Sequence, residues 1–191
     1  MKRLFTIAPL TMLATPAFAH LPPAQHGSFA AGLSHPLFGL DHLLVMVAVG
    51  LWAAVLGGRA VWALPASFVG AMVVGFAAAL AGFSLPFVEP MILASVFAMG
   101  LVVALSMRLP TSAAMGIVGI FALFHGVAHG GELGAASAAT FGAGFVVSTA
   151  LLHGAGVAIA VTSARTLASA QVVRGLGWAT VFGGAWAVIV G

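Results

Sequence analysis

Histidines and acids occur at helical spacing in two segments whose other residues are almost all apolar. The first segment, residues 35–42, reads HPLFGLDH, and Met46 follows one turn later. On a continuous helix His35 and His42 would differ by only about 20° around the axis. Met46 would lie about 40° from His42, and Asp41 would stand beside the stripe. The spacing predicts one polar, chemically active face near the start of a helix.

The second segment, residues 125–132, reads HGVAHGGE. On a helix, His129 would lie about 40° from His125 around the axis, and Glu132 would lie about 20° from His125 in the opposite direction. Two imidazoles and a carboxylate therefore share one face at the end of an apolar run.

Imidazoles, carboxylates and a thioether, with no thiolate, are a ligand set that suits a divalent first-row metal such as Ni²⁺, Co²⁺ or Zn²⁺. Ionisable groups inside apolar segments are costly and mark a pathway or a bound ion. The alternative is a buried polar network that only joins helices. The candidate metal ligands are His35, Asp41, His42, Met46, His125, His129 and Glu132.

Four further residues are weaker candidates. His20 and His26 lie in a segment with prolines and glycine, and they could collect metal at an entrance. Glu89 lies early in another apolar run. His153 lies within a long one, where it could relay an ion inward or simply bond two helices.

The composition is that of a membrane protein. Of 191 residues, 62% are hydrophobic and 5% are charged, whereas a soluble domain has roughly 25% charged residues. Most of the surface must therefore face lipid. Apart from the adjacent Lys2 and Arg3, the six basic residues are scattered singly, so no nucleic-acid-binding stripe exists. The absence of cysteine excludes disulfides and thiolate ligands.

Residues 1–19 have the pattern of a secretory signal peptide. Lys2 and Arg3 precede an apolar core, and Ala17-Phe18-Ala19 forms an A-x-A cleavage site. We predict that the mature chain begins at His20 and that residues 20–191 form a single transmembrane domain.

Six apolar runs are long enough to span a bilayer, which predicts an all-α, polytopic membrane protein with six transmembrane helices. The runs are Leu37–Leu56, Val61–Gly82, Pro86–Met107, Ala113–Gly130, Ala135–Thr162 and Val172–Val190. Three glycines with a spacing of four, Gly126, Gly130 and Gly134, predict close approach of a neighbouring helix.

The arginines predict the orientation. Arg59, Arg108 and Arg165 lie in the connections that follow the first, third and fifth spans, and Arg174 lies at the start of the sixth span, next to the last of these connections. The positive-inside rule makes these connections cytoplasmic and the mature N-terminus external. The first span then runs inward and the fourth outward, so both polar segments lie toward the outer leaflet.

The residues 35–46 motif, the FHGVAHGGE segment of residues 124–132 and the LHGAG segment of residues 152–156 resemble the HupE/UreJ family of nickel permeases. The resemblance implies a non-enzymatic permease of the bacterial inner membrane with a periplasmic N-terminus. Its substrate would be Ni²⁺, or Co²⁺ in some members, destined for hydrogenase or urease, with no permanently bound cofactor. Its partners would be the ion and the bilayer; assembly into a homo-oligomer stays open.

Two other interpretations fit clustered histidines in a helical bundle. One is an intramembrane zinc-dependent hydrolase, with Asp41 or Glu132 as general base. The other is a haem protein with paired axial histidines.

Overall fold

The computed structural model describes residues 28–130, 135–164 and 169–190. The predicted signal peptide, His20, His26, Glu132, Gly134 and Arg165 lie outside these ranges. Within the ranges the chain forms seven α-helices and no β-strand, which confirms the all-α prediction. The helices are α1 (Phe29–Phe38), α2 (Leu40–Leu56), α3 (Ala60–Leu80), α4 (Val88–Ala104), α5 (Thr111–Gly130), α6 (Ala135–Ser163) and α7 (Ser169–Val190).

Each of the six apolar runs coincides with one of the helices α2 to α7, to within about three residues at either end. Helices α3, α5, α6 and α7 are each long and apolar enough to cross a membrane. Helices α1 and α2 qualify together, as one broken span or a re-entrant loop, while α4 has only 17 residues. The described residues therefore hold four to five candidate spans, which confirms a polytopic membrane protein. Six spans and a cleaved signal peptide remain predictions.

The chain breaks at Gly39, where a single continuous helix was predicted. Helices α1 and α2 meet at an angle of 84°, and Gly39 between them is extended, with φ −85° and ψ 111°. Pro36 lies inside α1, three residues before the break. The prediction that His35 and His42 share one helical stripe was therefore wrong, because they belong to two helices with different axes.

Glycines allow the backbones of four helix pairs to touch. The most extensive contacts are α3 with α5, α1 with α6, α2 with α6, and α4 with α7. In each pair, one glycine of each helix lies against the partner's backbone, so that a β-carbon would collide with it. These glycines are Gly75 and Gly126, Gly32 and Gly144, Gly50 and Gly156, and Gly100 and Gly177. The close approach predicted for Gly126 and Gly130 is confirmed, since both lie against α3.

The two ends of the bundle differ in charge. At one end, the starts of α2 and α4 and the end of α7 surround an open cleft that contains Asp41 and Glu89. At the other end, the Trp52 indole donates a hydrogen bond to the Met107 carbonyl at 2.9 Å, and Arg174 Nε donates to the Ala104 carbonyl at 3.0 Å. Arg108 lies in the connection between α4 and α5, at the same end. One end is therefore acidic and the opposite end basic.

Candidate metal-transport site

The first turn of α2 holds a carboxylate against an imidazole. Asp41 Oδ1 accepts a hydrogen bond from the backbone N–H of His42 at 2.8 Å and lies 2.7 Å from Nδ1 of the same residue. The carboxylate thus satisfies a backbone N–H that has no partner within the helix and lies at the positive end of the helix dipole. Because Nδ1–H donates to Asp41, a neutral His42 ring presents the lone pair of Nε2 away from the carboxylate.

Gly39 leaves the space that this pair occupies. A β-carbon at position 39 would lie 3.0 Å from His42 Nδ1 and 3.1 Å from Asp41 Oδ1. Both distances are tighter than ordinary van der Waals contact. The residue at which the helix breaks therefore also makes room for the carboxylate–imidazole pair.

Helix α5 brings His129 to the free nitrogen of His42. The two Nε2 atoms are 2.6 Å apart, and both side chains are buried, with 6% of each residue exposed. Because His42 Nε2 carries a lone pair, His129 Nε2–H is the donor in this contact. His129 Nδ1 then has no hydrogen-bond partner.

His35, from the last turn of α1, completes a group of three. One ligand nitrogen from each of His35, His42 and His129 can be chosen so that all lie within 4.8 Å of one another. The His35 ring centroid lies 4.4 Å from that of His129 and 5.6 Å from that of His42. His35 is only half-buried, so the group reaches from the buried core to a more accessible position.

This group, which we call the outer site (His35, His42 and His129), has the chemistry of a cation site. Neutral imidazoles are ligands for divalent first-row metals. An imidazole whose second nitrogen donates to a carboxylate, as in His42, is held in one tautomer and one orientation. Two nitrogens that each bind the same metal ion at about 2.1 Å, with a right angle between the two bonds, lie about 3 Å apart. The two Nε2 atoms of His42 and His129 therefore need to separate only slightly to admit an ion.

His125 lies one turn before His129 on α5, behind the outer site. Its ring centroid is 5.2 Å from that of His42, and its Nδ1 lies 2.9 Å from the Phe121 carbonyl. Nδ1–H must donate to this carbonyl, which leaves Nε2 as an acceptor. Nε2 is buried and has no partner.

His153 lies on α6 and is fully buried. Neither of its ring nitrogens has a hydrogen-bond partner. An unpaired buried polar group costs about 1–3 kcal/mol, so this imidazole is expensive as a purely structural residue. The Phe68 ring contacts both His153 and His125, with centroid distances of 5.0 and 5.5 Å.

Aromatic rings enclose the outer site, and the sequence interpretation missed them. Phe145 on α6 contacts all three histidines, with centroid distances between 4.9 and 6.5 Å. Phe141, one turn earlier, contacts His35 at 5.7 Å. The spacing of four residues places both phenylalanines on one face of α6, but this pattern is equally typical of an ordinary core.

The remaining predicted ligands have different surroundings. Met46 is fully buried and packs in the apolar core. Glu89 is exposed and lines, together with Asp41, the open cleft of about 590 Å³ at the acidic end. Glu132, His20 and His26 lie outside the described residues.

Comparison with known proteins decides the family. The family model described as "HupE / UreJ protein" matches residues 8–187. The chain is 46% identical over 185 residues to Protein HupE of Rhizobium leguminosarum bv. viciae, which covers 95% of both chains. The chain belongs to the HupE/UreJ family. No solved structure matches it.

Membership of the HupE/UreJ family gives the function class. The family is a transporter-type family associated with nickel and cobalt transport for hydrogenase and urease. Neither comparison supports the zinc-dependent hydrolase. The family's metal cargo and the three facing imidazoles are chemically compatible, since nitrogen ligands suit both Ni²⁺ and Co²⁺.

Proposed function

We propose that this protein imports Ni²⁺, with Co²⁺ as the alternative cargo, across the bacterial inner membrane, and that the outer site is where it captures the ion. The observation that carries the proposal is the contact between His42 Nε2 and His129 Nε2 at 2.6 Å, with Asp41 on the far side of the His42 ring. Two imidazoles from distant parts of the chain thus face each other inside an apolar bundle, where a cation is their natural common partner.

The charge distribution supports the direction of transport. Arg174 and Arg108 lie at the basic end of the bundle, which the positive-inside rule assigns to the cytoplasm. Asp41 and Glu89 lie at the opposite end, around the open cleft. In this orientation a cation from outside meets the carboxylates of Asp41 and Glu89 first and the outer site next. The same orientation makes the mature N-terminus periplasmic.

The membrane potential is a sufficient driving force. The sequence contains no phosphate-binding P-loop motif. Moving two positive charges through about 100 mV is worth about 4.6 kcal/mol, which supports an accumulation of roughly a thousand-fold or more. The proposed permease therefore moves the ion down its electrochemical gradient without a permanently bound cofactor.

Uptake of radioactive nickel and cobalt by cells that carry the protein tests the function. We expect uptake above that of cells with an empty vector, and loss of most of it in His42→Gln and His129→Gln. Thr180→Val is the matched control, because Thr180 is also buried but bonds only to a carbonyl of its own helix. Normal uptake in both histidine variants, at equal membrane abundance, would show that the outer site is wrongly assigned.

A further inference from the structure

We infer that His125 and His153 form a second, deeper cation site, which we call the inner pair, and that the transported ion occupies it after it leaves the outer site. The inference rests on the proposed transport function and goes beyond it, because it divides the histidines into two successive sites. The ligand class is a divalent first-row cation that accepts imidazole nitrogen.

The first argument is hydrogen bonding. Both residues are fully buried, yet His125 Nε2 and both nitrogens of His153 have no hydrogen-bond partner. The Phe121 carbonyl occupies His125 Nδ1, so the lone pair of His125 is on Nε2. Buried polar groups are rarely left without a partner. A bound cation would occupy these lone pairs, which no protein group does.

The second argument is convergence of three helices. His125 and His153, on α5 and α6, both contact the Phe68 ring of α3. One turn away on α3, the Met72 sulfur accepts a hydrogen bond from the Thr149 hydroxyl at 3.7 Å. Thr149 precedes His153 by one turn on α6, so a thioether and a hydroxyl lie beside the inner pair.

The third argument is position along the transport direction. The His125 ring lies 5.2 Å from that of His42 and so adjoins the outer site. The backbone carbonyl of His153 packs against Gly50, which is eight residues beyond His42 on α2, or about 12 Å toward the basic end. The inner pair thus continues the line of imidazoles from the outer site toward the end assigned to the cytoplasm.

Nickel titration of the purified full-length protein, by calorimetry in detergent micelles, tests the inner pair. We expect two bound ions in the wild type, one in His153→Gln, and one in His35→Gln. Each variant must elute as the wild type does on size exclusion. In cells, His153→Gln should lower the maximal rate of nickel uptake about tenfold with little change in half-saturation, because capture still occurs at the outer site.

A cysteine substitution gives a direct spectroscopic readout. The chain has no cysteine, so His153→Cys introduces a single thiol. Added Co²⁺ should then produce a thiolate-to-metal charge-transfer band in the near ultraviolet. Ser95→Cys is the control, because Ser95 is equally buried but bonds to the Ile92 carbonyl of its own helix. It should give no band.

The outcomes separate the inference from the proposed function. The inner pair would be overturned if the wild type bound one nickel ion, His35→Gln bound none, His153→Gln still bound one, and His153→Cys gave no band. That result would leave the proposed transport through the outer site intact. A wild type that neither binds nor takes up nickel would remove both the proposed function and the inner pair.

Discussion

His42 and His129 are 87 positions apart in the chain, yet their Nε2 atoms lie 2.6 Å apart inside the helical bundle. One ring is held by a carboxylate on its own helix, and the other comes from the end of α5. A hydrogen-bonded pair of this kind holds two ligand nitrogens close together before an ion arrives. Binding therefore needs only a small separation of the rings and transfer of the His129 proton from Nε2 to Nδ1.

Asp41→Asn should weaken capture of the ion without preventing folding. Asparagine removes the negative charge that orients the His42 ring and fixes its tautomer. Loss of such a supporting carboxylate typically costs about 10-fold to 100-fold in metal affinity. We expect half-saturation of nickel uptake to rise within this range while membrane abundance stays equal. An unchanged half-saturation would mean that Asp41 does not support a metal ligand.

Gly39→Ala should impair transport through geometry alone. The added β-carbon would press on His42 Nδ1 and Asp41 Oδ1 at 3.0 and 3.1 Å, so the pair must shift and His42 Nε2 with it. Gly70→Ala is the control, because nothing lies within 4 Å of its β-carbon position. Initial nickel uptake should fall in the first variant and stay at the wild-type rate in the second. Equal rates in the two would show that the crowding at Gly39 is unimportant.

Two glycine-to-alanine substitutions should shift stability in opposite directions. At Gly50 a β-carbon would collide with the backbone of His153, and overpacking of this kind costs about 1–3 kcal/mol. At Gly154 nothing lies nearby, so alanine should stabilise the helix by about 0.5–1 kcal/mol. Thermal unfolding in detergent, followed by tryptophan fluorescence, measures both. A stable Gly50→Ala variant would argue against the close contact between α2 and α6.

Acid should weaken capture by competition. A histidine binds metal only as the neutral imidazole, so protons and the ion compete for the lone pairs of the outer site. At an external pH low enough to protonate these rings, half-saturation for nickel should rise, and excess nickel should restore the rate. Initial uptake at several pH values and nickel concentrations measures both effects. A rate that falls in acid and that excess nickel does not restore would contradict histidine ligation at the entrance.

A reporter fused after Gly191 tests the predicted orientation. Six spans that start from an external N-terminus return the chain to the outside, as the distribution of the arginines requires. We expect an alkaline phosphatase fusion to be active and a green fluorescent protein fusion to be dark. The reverse pattern would mean an odd number of spans or a retained signal segment.

The sequence alone was enough to predict the fold class and the apolar helices, because both depend on local quantities. The bilayer selects continuous apolar runs, and each predicted run coincides with one of the helices α2 to α7 apart from small differences at the ends. The sequence also indicated that the polar residues of the first and fourth runs lie at the same depth. The contact between His42 and His129 agrees with that depth argument.

Only the tertiary structure decided which atoms meet. A helical wheel assumes one straight axis, so it placed His35 beside His42 for the wrong reason. In the folded chain Gly39 turns the axis by 84°, and α1 packs on α6, which brings His35 to the other two histidines from a separate helix. The enclosure by Phe145 and the unpaired nitrogens of His125 and His153 likewise depend on which helices pack together. That packing follows from glycine contacts between distant segments. The spacing of Gly126 and Gly130 predicted a close approach, but not which helix would make it.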